Sequence, residues 1–119
     1  MKNGLLVTLL SLAFLGGVGV GTAAAEEGMA AHYSDVFQGK PTANKDTFDQ
    51  QAMTAAHKTL PFGTRVKVTN LTNNKSVVVT INDRMARGNR NIIDLTRAAA
   101  RELDFEKQGR VRVSVEPVQ

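Results

Sequence analysis

In the stretch INDRMARG, residues 81–88, Asp83 and Arg84 close a run of strand-forming residues that begins with SVVVT. A carboxyl group at the open end of a buried strand has two uses. It staples a loop, through backbone donors or through its arginine neighbour, or it exchanges protons with something bound at the strand's mouth. His57, in TAAH, has a ring that can donate or accept a hydrogen bond and can orient such a carboxylate. Its alternative is a buried ring whose two nitrogens are both satisfied by the fold. The chain has no cysteine, which excludes thiol chemistry, disulfide staples and lipid attachment at a leader cysteine.

These residues need elements to position them. Val66 and Val68 alternate with Arg65, Lys67 and Thr69, the pattern of a half-buried strand. Asn73 and Asn74 suit a tight turn, because asparagine tolerates positive φ. Val77, Val79 and Ile81 then share one face of a second strand, so the two form a hairpin. RVRVSVEP, residues 110–117, alternates Val111, Val113 and Val115 with Arg110, Arg112 and Ser114 and predicts another strand. Thr96 is placed to cap a short helix over Arg97–Leu103, with Ala99, Ala100 and Leu103 on one side and Arg97 and Arg101 exposed on the other. Asp94 just before it reads as fixing the helix start or pairing with Arg90, not as catalytic. Residues 26–52 are rich in Gly, Pro, Asn, Asp and Thr: a short strand at Ala30–Ser34, then a long loop of functional type. A turn follows at Pro61–Gly63. Several short strands with one helix would expose long edges as a flat sheet, whereas a small closed barrel removes them.

The amino terminus reads differently. Lys2, an apolar stretch and a closing TAAA, with Ala23 and Ala25 small, have the form of a cleaved secretory signal peptide over residues 1–25. A mature chain from Glu26 holds 94 residues, with 14 basic against 11 acidic, a net charge of +3 once Lys2 is lost with the leader. That charge is too small and too dispersed for nucleic-acid binding. Cleavage leaves no membrane anchor and no lipid, so a released periplasmic or wall-associated monomer is expected.

Four stretches in order carry a family resemblance: TANKDTFD at Thr42–Asp49, TAAHKTLPFGTRVKVTNL at Thr54–Leu71, VVVTINDR at Val77–Arg84 and IIDLTRAAARELD at Ile92–Asp104. Together they resemble the rare lipoprotein A family. The resemblance implies a mainly β fold, a six-stranded double-psi β-barrel of the barwin and expansin type with one or two short helices, filling residues 26–119. It also implies an activity: lytic cleavage of the peptidoglycan glycan strand between N-acetylmuramic acid and N-acetylglucosamine. There the muramic acid 6-hydroxyl attacks its own anomeric carbon and leaves a 1,6-anhydro end. The alternative is a glycan-binding barrel without catalysis.

Such a reaction needs no metal and no cofactor, and one carboxyl group can act first as acid and then as base. The resemblance assigns that work to Asp83, raised by burial so that it holds a proton, with Asp46 and His57 in support. Tyr33, Thr42, Asn44, Thr54 and Arg84 are expected to line the glycan groove, Tyr33 by stacking on a sugar face. The chain departs from the family pattern at three places. Lys45 and Asp46 stand where Gly-Glu is usual, Met85 and Ala86 where Gly-Pro is common, and AHYS replaces Ser-Trp-Tyr-Gly.

Overall fold

The computed structural model describes residues 25–118. All of the expected leader except Ala25 lies outside them. Six strands form a closed barrel: β1 (Glu26–His32), β2 (Thr54–His57), β3 (Arg65–Asn70), β4 (Ser76–Arg84), β5 (Ile93–Leu95) and β6 (Arg110–Pro117). Their order around the barrel is β1-β5-β2-β4-β3-β6. The β1–β5 and β2–β4 pairs are parallel and the other pairings antiparallel. Among the described residues closure leaves no unpaired strand edge, which suits a small domain without disulfides.

The inward face is set by alternation. Val66, Val68, Val79, Ile81, Val113 and Val115 point into the core with Ala30, Ala55, Ile93 and Leu95, and Ala99, Ala100, Leu103 and Phe105 join the same cluster. The helix α1 (Arg97–Glu102) begins at Thr96, whose Oγ1 accepts from the Ala99 N–H and donates to the Ala52 carbonyl. Its far end is tied down by Asn70, whose Nδ2 donates to the Leu103 carbonyl at 2.8 Å.

Two elements differ from the sequence reading. β1 begins at Glu26 because it pairs with β6 from its first residue, and Ser34 lies beyond it, capping a 3-10 turn at Asp35–Phe37. β5 was not recognisable as a strand: three residues show too little alternation to separate them from the helix that follows.

One irregularity matters for function. Ala55 opposes Ile81 across the β2–β4 ladder, but its neighbour Ala56 opposes Asp83, so Asn82 is an extra residue in β4. Strict alternation after Val79 and Ile81 would send Asp83 into the core. The bulge at Asn82 reverses the parity and turns Asp83 outward.

Candidate functional site

Outside the barrel wall, three strands place a row of residues side by side. Ala56 of β2 pairs with Asp83 of β4 on one side and with Asp94 of β5 on the other. The core row behind it is Ile81, Ala55 and Leu95, each fully buried. The outer row forms the floor of a groove of about 400 Å³, walled by His32, Tyr33, Phe37 and Pro41 on one flank and Arg84, Met85, Ala86 and Asn89 on the other. That volume lies within the range of small-ligand sites.

Asp83 is held rigidly. Its Oδ1 accepts from the Ala43 N–H at 2.8 Å and from the Arg84 N–H at 2.9 Å, and its Oδ2 accepts from the Tyr33 hydroxyl at 2.6 Å. All three partners are donors. Tyr33 is itself fixed, packed on Phe48 with ring centroids 4.2 Å apart and edge-on to Phe37. Burial first, then the hydrogen bond to Asp83, push its phenol pKa well up, so it remains a donor throughout the physiological range.

Asp94 has a different environment. Burial raises its pKa, and the charge of Asp83 raises it further. The sequence reading gave this residue to the helix start. That role belongs to Thr96, and among the described residues Asp94 forms no ion pair with Arg90. Strand parity was the missed signal: Ile93 and Leu95 are core residues, so the residue between them must face out.

The arginine beside Asp83 does not pair with it. Arg84 sends Nη1 to the carbonyls of His57 and Leu60, at 3.1 and 2.7 Å, and its guanidinium lies 4.4 Å over the Phe62 ring. Phe62 keeps 42% of its surface exposed and Phe37 46%, so each presents an apolar ring to solvent.

Of the residues singled out in the sequence, Tyr33, Asp83 and Arg84 lie along this groove, and Asp46, His57, Thr42, Asn44 and Thr54 lie outside its lining. The polar groups of the 42–46 loop are used within it. Thr42 Oγ1 donates to Asn44 Oδ1, which also accepts from the Asp46 N–H, and the Asp46 carboxylate accepts from Asn44 and Asn82. The loop clamps the bulge and aims the Ala43 N–H at Asp83. Lys45 sits in that loop with φ 77°. His57 Nδ1 accepts from the N–H groups of Thr59 and Leu60, and its Nε2 lies 2.9 Å from the Glu26 carboxylate. The ring therefore carries its hydrogen on Nε2 and braces the turn that receives Arg84. Thr54 contributes its carbonyl to the Thr96 N–H. Met85 is buried, and neither it nor Ala86 has positive φ, so the turn after Asp83 makes no demand for glycine.

Comparison with known proteins places this geometry among relatives. The profile of a family described as "Lytic transglycolase" matches residues 25–115. The chain is 51% identical over 89 residues to the probable endolytic peptidoglycan transglycosylase RlpA of Treponema pallidum, covering 75% of this chain and 28% of that protein. It is 50% identical over 94 residues to the RlpA of Rickettsia bellii, covering 76% of this chain and 41% of the relative. The chain therefore spans well under half the length of these relatives. Among solved structures, a Streptomyces papain inhibitor superposes with a TM-score of 0.65 at 22% identity, covering 82% of this chain and 96% of the inhibitor. A Clavibacter michiganensis expansin in complex with cellohexaose superposes with a TM-score of 0.63 at 20% identity, covering 81% and 51%. At that identity these two likenesses speak for the fold alone.

Proposed function

Since the chain belongs to the lytic transglycolase family of RlpA-like double-psi β-barrels, we propose that it is an exported endolytic transglycosylase that cleaves peptidoglycan glycan strands with formation of 1,6-anhydromuramic ends. The observation that carries this reading is the pair of carboxyl groups, Asp83 and Asp94, on the floor of one groove with only the Ala56 methyl between them. Lytic cleavage needs a proton delivered to the leaving oxygen, a proton removed from the attacking hydroxyl, and negative charge near the developing oxocarbenium ion. Water activation is not required.

Export rests on the leader pattern of residues 1–25. It agrees with a family match that starts at residue 25 and with a first strand that starts at Glu26. Tyr33 and the exposed rings of Phe37 and Phe62 offer apolar faces for sugar rings. Arg84, His57 and the loop bearing Thr42, Asn44 and Asp46 act as positioning residues, through the contacts that hold Asp83 and the groove flank. Thr54 supports β2.

The test is a digest of purified sacculi, and of strands stripped of stem peptides, with mass spectrometry for 1,6-anhydromuramic ends. Wild-type protein is expected to release them, and Asp83→Asn to slow release by about 100-fold, the usual scale for losing a fixed transition-state charge. Sedimentation with sacculi and no new ends would replace the enzyme reading with that of a glycan-binding barrel.

A further inference from the structure

Resting on the transglycosylase reading and deepening it, we infer that Asp94 is the catalytic group that gives and takes the proton, and that Asp83 is the fixed anion opposite it. The two residues flank Ala56 in one row, so two strand spacings put their Cα atoms about 10 Å apart. Their side chains face the same groove from opposite sides of a methyl group. A glycosidic bond lying over Ala56 meets one carboxyl group from each side.

The two environments divide the labour. Asp83 accepts three hydrogen bonds, two from backbone N–H groups and one from a phenol held in its protonated form. Three donors thus fill most of the roughly four acceptor positions of this carboxyl group and hold it in place. Asp94 is partly buried, and the charge beside it is of its own sign. Both effects favour the neutral acid, burial more than the charge. The other titratable or charged groups facing it are His32 at the end of β1, Tyr33 just after it and Arg84 at the end of β4. β2 presents only Ala56, because His57 is turned to Glu26 and the 59–60 turn. Arg84 is turned to the carbonyls of His57 and Leu60, and Asp83 supplies the charge that acts on Asp94.

The step balances without water. The Asp94 proton passes to the leaving oxygen of N-acetylglucosamine as its bond to the muramic acid anomeric carbon breaks. Asp83 stabilises the positive charge that develops on the sugar ring. The 6-hydroxyl oxygen of the same muramic acid bonds to the anomeric carbon, and its proton goes to the Asp94 carboxylate. One bond is broken, one is formed, and the acid is regenerated.

The experiment measures anhydro-end release against pH for the wild type, Asp94→Asn and Asp83→Asn, with sacculus co-sedimentation as a check on binding. Carboxyl carbon NMR titrations of the wild type and Asp83→Asn accompany it. Asp94→Asn is expected to lose about 1000-fold in rate, within the range for removing a general acid, with binding retained. In Asp83→Asn the Asp94 titration moves to lower pH, and the alkaline limb of the residual activity moves down with it. This second readout needs no Asp94 variant and so survives if Asp94→Asn fails to fold. Two results overturn the assignment alone: Asp94→Asn keeping more than about a tenth of the rate, or an alkaline limb that stays in place while the Asp94 titration moves. Wild-type protein that forms no anhydro ends overturns the transglycosylase reading and the assignment together.

Discussion

Lys45 holds φ at 77°, in the left-handed region, beside the loop that delivers a backbone donor to Asp83. A side chain there costs about 1–3 kcal/mol, against about 0.5–1 kcal/mol for the extra chain entropy of glycine. Lys45→Gly is therefore expected to stabilise the protein by about 1 kcal/mol in chemical denaturation; a loss of stability would show that the lysine side chain makes a compensating contact. At this scale the sequence was informative about Asp83, because a carboxylate ending an apolar run stands out. It was misleading about Asp94, whose neighbours Leu95 and Thr96 resemble the approach to a helix. His57 was legible as a residue of consequence but not in its role, since nothing in TAAH foretells that its ring reaches back to Glu26 and forward to Thr59 and Leu60.

The elements were legible in proportion to their length. The β3–β4 hairpin, β6 and the cap of α1 follow from alternation and from Thr96, with Asn74 in the left-handed turn conformation that asparagine tolerates. Short β2 and β5 were not, since strands of four and three residues are defined by their partners in the barrel rather than by their own pattern. Thr96 joins both kinds of element. Its hydroxyl caps α1 and also reaches the Ala52 carbonyl just before β2, at 2.6 Å. Thr96→Ala is expected to cost about 2 kcal/mol, the upper end for a cap, because a second, partly buried partner is left unsatisfied. Thr96→Ser should recover most of it. Urea unfolding of the two variants decides the matter, and equal losses in both would assign the effect to the methyl group instead.

For the whole molecule, closure of the barrel stabilises a small domain that has no disulfide. Its pH response is built from opposing contributions. The Asp35 pKa is lowered by hydrogen bonds from Gln50 and then Arg97, and the Glu106 pKa by Arg97 and then Arg101. Each contributes stability that is present above its unfolded value, 3.8 and 4.5 respectively, and is lost as pH falls through the folded value. Asp94 has the opposite sign. Its folded pKa lies above 3.8, so its burial costs stability increasingly as pH rises from 3.8 through the folded value. Thermal unfolding across pH should therefore find Asp94→Asn more stable than the wild type at neutral pH, with the two curves converging in acid. A variant less stable at every pH would mean that the carboxylate is held by contacts that outweigh its desolvation.

The extra residue at Asn82 reconciles two demands on one strand. Ile81 faces the core and Asp83 faces out, yet a single residue stands between them, a spacing that a regular strand would place on one face. Without Asn82, Asp83 would follow Ile81 directly and still face out by plain alternation, but the strand would lose the side chain that donates to the Asp46 carboxylate. The added residue thus gives the 42–46 loop a fastening point on the barrel wall.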